Sequence, residues 1–159
     1  MPLTSTASSA ASTCRVCSDK PVIDPDNPVA KLCLAGCQAE FKQLPETALN
    51  MYQQAWNAQT NDYEACIAAH YLARLQPTAQ ARLDWNRAAL ERALSANDER
   101  VNSFLPSLHL SLSGAYAELG QTDAAGIHEK LASNAAEQVS GPYGEMLRQG
   151  LAARKPKSF

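Results

Sequence analysis

Ala48-Leu-Asn-Met-Tyr52-Gln-Gln-Ala55 is echoed 33 residues later by Ala81-Arg-Leu-Asp-Trp85-Asn-Arg-Ala88. In both copies an aromatic stands between two small residues, at spacings that share one face of a helix. The same shift carries Ala35-Gly36 onto Ala68-Ala69. Small residues on such a face let a neighbouring helix approach closely. A face repeated at a period of 20 to 50 residues is the mark of a helical solenoid.

The composition agrees with this. The chain has 159 residues, rich in alanine and with only 6% aromatics, which suits close helix packing better than a sheet core. A formal charge of −2 exerts no general pull on nucleic acid or anionic membrane. No apolar run is long enough for a membrane-spanning helix. Residues 1–28 read as a flexible leader. Met1 to Thr13 are Ser/Thr/Ala-rich, without the basic start and apolar centre of a secretion signal, and Pro21, Pro25 and Pro28 oppose regular structure. Without such a signal, the five cysteines are expected to be reduced thiols in a cytoplasmic setting.

Start and stop signals divide the remainder into seven expected helices. Pro28 opens the first, which runs to about Lys42, and Pro45-Glu46 opens the second, which runs through Trp56. Asn61-Asp-Tyr-Glu64 resembles a capping box for a third helix that stops before Gln76-Pro77. Thr78 caps a fourth helix reaching about Ser95. A fifth has a short start capped by Asp98 and is kinked or restarted by Pro106 before running to Leu119. Gly120 ends it, Thr122-Asp123 opens the sixth, and a last helix spans Tyr143 to about Arg154. A third copy of the echo is weaker. Ala125 and Ala132 keep the small pair, but Glu129 holds the aromatic position and the interval from Ala88 to Ala132 is 44 residues. The extra eleven residues make about three helical turns.

These features resemble the tetratricopeptide repeat family over roughly Val29 to Glu137. Tyr116-Ala-Glu-Leu-Gly120-Gln-Thr-Asp-Ala-Ala125 is similar to the turn within one of its helix pairs. The stretch from Tyr63 to Arg74, leading to Trp85-Asn86, is also similar to small bacterial proteins of this class, some with methyltransferase-style names. The resemblance implies an all-α, right-handed solenoid of about three antiparallel helix pairs over residues 29–140. Residues 141–159 would supply a capping helix and a basic tail. It further implies a concave groove lined by the first helix of each pair, where peptide segments bind. A methyltransferase core would need strands and a glycine-rich loop, and the chain offers neither, so no enzyme activity and no cofactor are expected.

The best-known ligand of such grooves is an acidic peptide end held by Lys, Asn and Arg. Here Cys33, Cys37 and Ile67 occupy the corresponding positions, so a cationic clamp is not carried over. Instead, the repeat superposes Cys33 and Cys37 on Cys66 and His70. Three thiols and one imidazole are a tetrahedral zinc set if the helices let them converge, and small packing residues if they do not. Cys14 and Cys17 form a second, leader pair. Tyr52 and Trp85 read as packing aromatics, while Tyr63 is expected to face the groove. His109 and His128 have no acidic or nucleophilic partner at useful spacing.

The expected function is therefore a non-enzymatic adaptor for a protein or peptide, with Cys33, Cys37, Tyr63, Cys66, His70, Arg74 and Leu110 lining the groove. The alternative is a small-molecule or zinc-binding protein using the same groove. Neither nucleic acid nor membrane is an expected partner. Self-association through the solenoid ends is compatible with their apolar faces, with Met146, Leu147 and Leu151 forming the cap's inner side.

Overall fold

A computed structural model describes residues 23–154, which form eight helices and, among the described residues, no strand. They are α1 (Pro28–Phe41), α2 (Pro45–Ala58), α3 (Asp62–Arg74), α4 (Ala79–Ala96), α5 (Glu99–Asn102), α6 (Leu105–Glu118), α7 (Thr122–Glu137) and α8 (Gly141–Arg154). None is long and apolar enough to cross a membrane.

Local chemistry sets most of the boundaries. Asn27 Oδ1 accepts from the Val29 and Ala30 amides at 2.9 and 3.0 Å, and Pro28 fills the first helical turn. Thr78 Oγ1 accepts from Ala81 N at 3.1 Å to start α4, and Asn97 ends it at φ 47°. Gly120 turns α6 into α7 at φ +72°, a left-handed conformation that costs glycine little. The expected fifth helix is two helices. A continuous helix would press the Pro106 ring against the Asn102 carbonyl four residues earlier, so the chain breaks at Ser103–Phe104 and restarts.

The capping box before α3 also differs from expectation. Asn61 Oδ1 accepts from Glu64 N at 3.0 Å, as that motif requires. The Glu64 carboxylate instead accepts from Thr60 N at 2.7 Å and Thr60 Oγ1 at 2.9 Å, and also from Asn27 Nδ2 at 2.7 Å. The residue that starts α3 thus fastens the cap of α1. Burial alone would raise the Glu64 pKa, but hydrogen bonds from Asn27, Thr60 and Asn61 outweigh it and hold the carboxylate low.

Short turns make antiparallel pairs of α1 with α2, α3 with α4, and α6 with α7. This packing is consistent with a helical repeat. Along the stack α3 packs on both helices of the first pair, whereas α6 packs on α4 and has no comparable contact with α3. The 44-residue interval, with α5 inside it, thus sets the third pair off the line of the first two. The main core runs from Val29 and Cys33 through Cys66, Ile67, Ala68 and Ala69 to Ala89, Val101, Phe104 and Leu108. At its centre every residue of α3 from Tyr63 to Ala69 is buried.

The echo is realised unequally. Ala48, Tyr52 and Ala55 are fully buried, and the Tyr52 ring lies against Gly36. In α4 the buried stripe is Leu83, Asn86, Ala89 and Ala93, while Ala81, Trp85 and Ala88 are half-buried. The physical reason is that α4 is sandwiched between α3 and α6, so its most enclosed side is the one that meets both. Trp85 still meets Trp56 edge-on, with ring centroids 5.0 Å apart.

Leu147 and Leu151 of α8 bury against Ala132 and Ala136. Met146, expected on the same side, is 52% exposed. The folded unit also begins earlier than the expected boundary at residue 29. Ile23 packs on the main core, and Asn27 is both cap and tether. Residues 1–22 and 155–159 lie outside the described residues, and with them Cys14, Cys17, Lys155 and Lys157.

Candidate functional site

The thiol and imidazole positions lie on α1 and α3 as the period requires, but they do not form a groove wall. Cys33 and Cys66 are inside the main core, and burial pushes both thiols up to about 12, with nearby Cys37 adding to the effect at Cys33. Cys37 is half-buried, with Sγ 3.6 Å from Tyr52 Oη. All three thiols are free. His70 is half-buried, with Nδ1 enclosed and without a hydrogen-bond partner among the described residues. Burial, reinforced by the Arg74 charge, pushes its imidazole down to about 4. Among the described residues no three His, Cys, Asp or Glu side chains are placed to hold a metal. Of the two readings of these positions, burial of Cys33 and Cys66 in the core favours packing: equivalent positions in a repeat need not be convergent ones.

Two further groove expectations are corrected. Tyr63 is buried, edge-on to Phe104, with the Arg100 guanidinium 4.0 Å above its ring. Leu110 packs into the cluster of α7 and α8. Side chains on α3 and α6 that would line a regular groove are covered instead by α5 and the capping helix.

Arg74, one of the expected site residues, borders a cavity. Between α3, α4 and α6, where the third pair steps away from α3, a space of about 170 Å³ opens. Its walls include Arg74, Arg82, Asn86, Ser111, Gly114 and Glu118. Asn86 is only 5% exposed, and its Oδ1 has no hydrogen-bond partner among the described residues. A buried amide oxygen left unpaired costs about 1–3 kcal/mol, so a donor that reached Oδ1 through a small shift of this wall would meet an acceptor already desolvated. Both arginines are partly committed. Arg74 pairs with Glu40 at 3.2 Å, and Arg82 pairs with Glu118 while donating to Gln76 O at 2.8 Å. These carboxylates are half-buried to exposed, so the pairs are weakly held and can exchange for a ligand's acidic group.

A second cluster was not foreseen. His109 on α6 and His128 on α7 meet with Nδ1 3.0 Å from Nδ1, and Tyr116 stacks on the His128 ring at 5.3 Å. Their separation of nineteen residues matches no helical spacing. The signal lay in the hairpin turn at Gly120, which folds the two helices onto one another.

Comparison of the chain with protein-family models, curated proteins and solved structures finds no match.

Proposed function

We propose that this chain is a tetratricopeptide-repeat-like, non-enzymatic scaffold that binds a peptide segment in the cavity between α3, α4 and α6. The observation that carries this reading is a space bordered by two arginines and by Asn86, a buried residue whose amide oxygen has no partner among the described residues. A primary amide offers both an acceptor and donors, which is what a peptide main chain matches. Arg74 and Arg82 add charge-assisted donors for a carboxylate, whether a side chain or a chain end. Small-molecule sites commonly hold about 300–1,000 Å³. A space of about 170 Å³ favours one or two peptide groups over a cofactor. The paired helices α1/α2, α3/α4 and α6/α7 support the repeat reading, and the offset of the third pair accounts for a cavity in place of a continuous groove.

The test is selection of displayed random peptides, half of them ending in a free carboxylate, on the wild type and on Asn86→Leu and Arg82→Glu. Peptides enriched by the wild type should be lost from both variants. Asn86→Leu should melt at or above the wild-type temperature, because it removes an unpaired buried group. Equal enrichment by all three proteins would overturn the reading.

A further inference from the structure

The hairpin of α6 and α7 holds a pair of groups for which the peptide-binding reading has no use. His109 and His128 come from different helices, so the backbone fixes their approach, and stacking on Tyr116 restrains the His128 ring. Two neutral imidazoles joined Nδ1 to Nδ1 form a hydrogen bond only when one is an Nδ1–H tautomer and the other is bare. When both carry their proton on Nε2, two lone pairs face each other across 3.0 Å. Something positive must then lie between them.

We propose that His109 and His128 form an open, two-imidazole site for a divalent late first-row metal ion of the Zn2+, Ni2+ or Cu2+ class. Metal–nitrogen bonds of about 2.0–2.1 Å, at angles between square and tetrahedral, place two ligand nitrogens about 2.9–3.4 Å apart. The pair already stands at 3.0 Å, and rotation of the rings about their soft terminal torsions aims both lone pairs at an ion seated off the line between them. Imidazole selects this group of metals over Mg2+ or Ca2+, which prefer oxygen. Among the described residues no third His, Cys, Asp or Glu joins the two, so the remaining coordination positions are left to water or an outside ligand. Burial, with His128 acting on His109, lowers both imidazole pKa values. Both rings are therefore in the neutral, metal-binding form at neutral pH. The site shares α6 with the Arg74–Asn86 cavity but none of the residues that line it, and does not depend on it.

The experiment uses the full chain carrying Cys14→Ser and Cys17→Ser, which removes two thiols that could capture zinc. Zn2+ is titrated at neutral pH while the imidazole nitrogens are followed by NMR. The Nδ1 signals of His109 and His128 should move together, with His70 as an unmoved internal reference, and a chelator should reverse the change. Zinc should also raise the melting temperature, because His109 and His128 stand together only in the folded state. In His128→Gln both the His109 shift and the zinc-dependent rise should vanish. Unmoved His109 and His128 signals in excess zinc, or zinc held only by thiols, would overturn the proposal. Should His128→Gln fail to fold, the paired NMR shift in the parent chain still decides.

Discussion

Replacing Gly36 by alanine tests the close approach on which the first helix pair depends. An added Cβ would stand 2.2 Å from Tyr52 Cε1 and within 2.8 Å of two more ring atoms. That ring cannot swing aside freely. Tyr52 is fully buried, its hydroxyl donates to Glu40, and its ring lies 5.3 Å from that of Tyr71. Overpacking of this kind costs about 1–3 kcal/mol. Displacing the phenol from a carboxylate adds about 1.5–3 kcal/mol. Against these, alanine in a helix gains about 0.8–1.0 kcal/mol over glycine. The balance is a net loss of about 1.5–5 kcal/mol. Gly126→Ala in α7 is the control, since its added Cβ would meet nothing within 4 Å and only the propensity gain remains. Urea unfolding should therefore move the two midpoints in opposite directions at unchanged slope. A Gly36→Ala protein as stable as the wild type would refute the argument that the Gly36–Tyr52 contact fixes the spacing of α1 and α2.

Glu64→Ala should lower stability by about 2–4 kcal/mol in the same assay, because it strips acceptors from Asn27 and Thr60 at once, and Glu64→Gln should cost less. The imidazole of His70 is held down at about 4 from its ordinary 6.5, so the unfolded chain binds the extra proton first. Stability from this group is complete above pH 6.5 and is lost as the pH falls toward 4, by about 3 kcal/mol in all. His70→Gln should flatten that part of the acid limb, leaving the smaller slope that His109 and His128 contribute in the same direction. Cys33 and Cys66 should resist a thiol reagent until the chain is unfolded, while Cys37 reacts first of the three in the native state, as peptide mapping of the labelled protein would show.

What could be read from the sequence was what local chemistry decides. Asn61, Thr78, Pro45 and Gly120 act within a turn of their own position, and the helix ends they imply are where the structure has them. The break before α6 follows from one proline. The period also placed Cys33 and Cys66 on matching faces of α1 and α3. It could not say whether those faces look into a groove or into each other, since that depends on how far one pair is rotated on the next. Asn86 was hidden by its neighbour Trp85, which carried the echo, and the amide matters only because the third pair steps aside. Met146 and Leu147 are adjacent on one helix, yet one is exposed and the other buried, a choice made by where α7 presents Ala132 and Ala136.

The reach of Glu64 back to Asn27 has a consequence for how the molecule assembles. In a stack of independent repeats each pair could form, fray or open by itself, with coupling only through the apolar surface between neighbours. Here the first turn of α1 is secured by a carboxylate 37 residues downstream, which is in place only once α3 has begun. Opening of α3 therefore releases the start of α1. Amides at Val29 and Ala30 should exchange with solvent in step with those of α3, as one cooperative unit. A fragment ending before Thr60 would keep the first hairpin and the Asn27 cap but not the carboxylate that holds Asn27 in place.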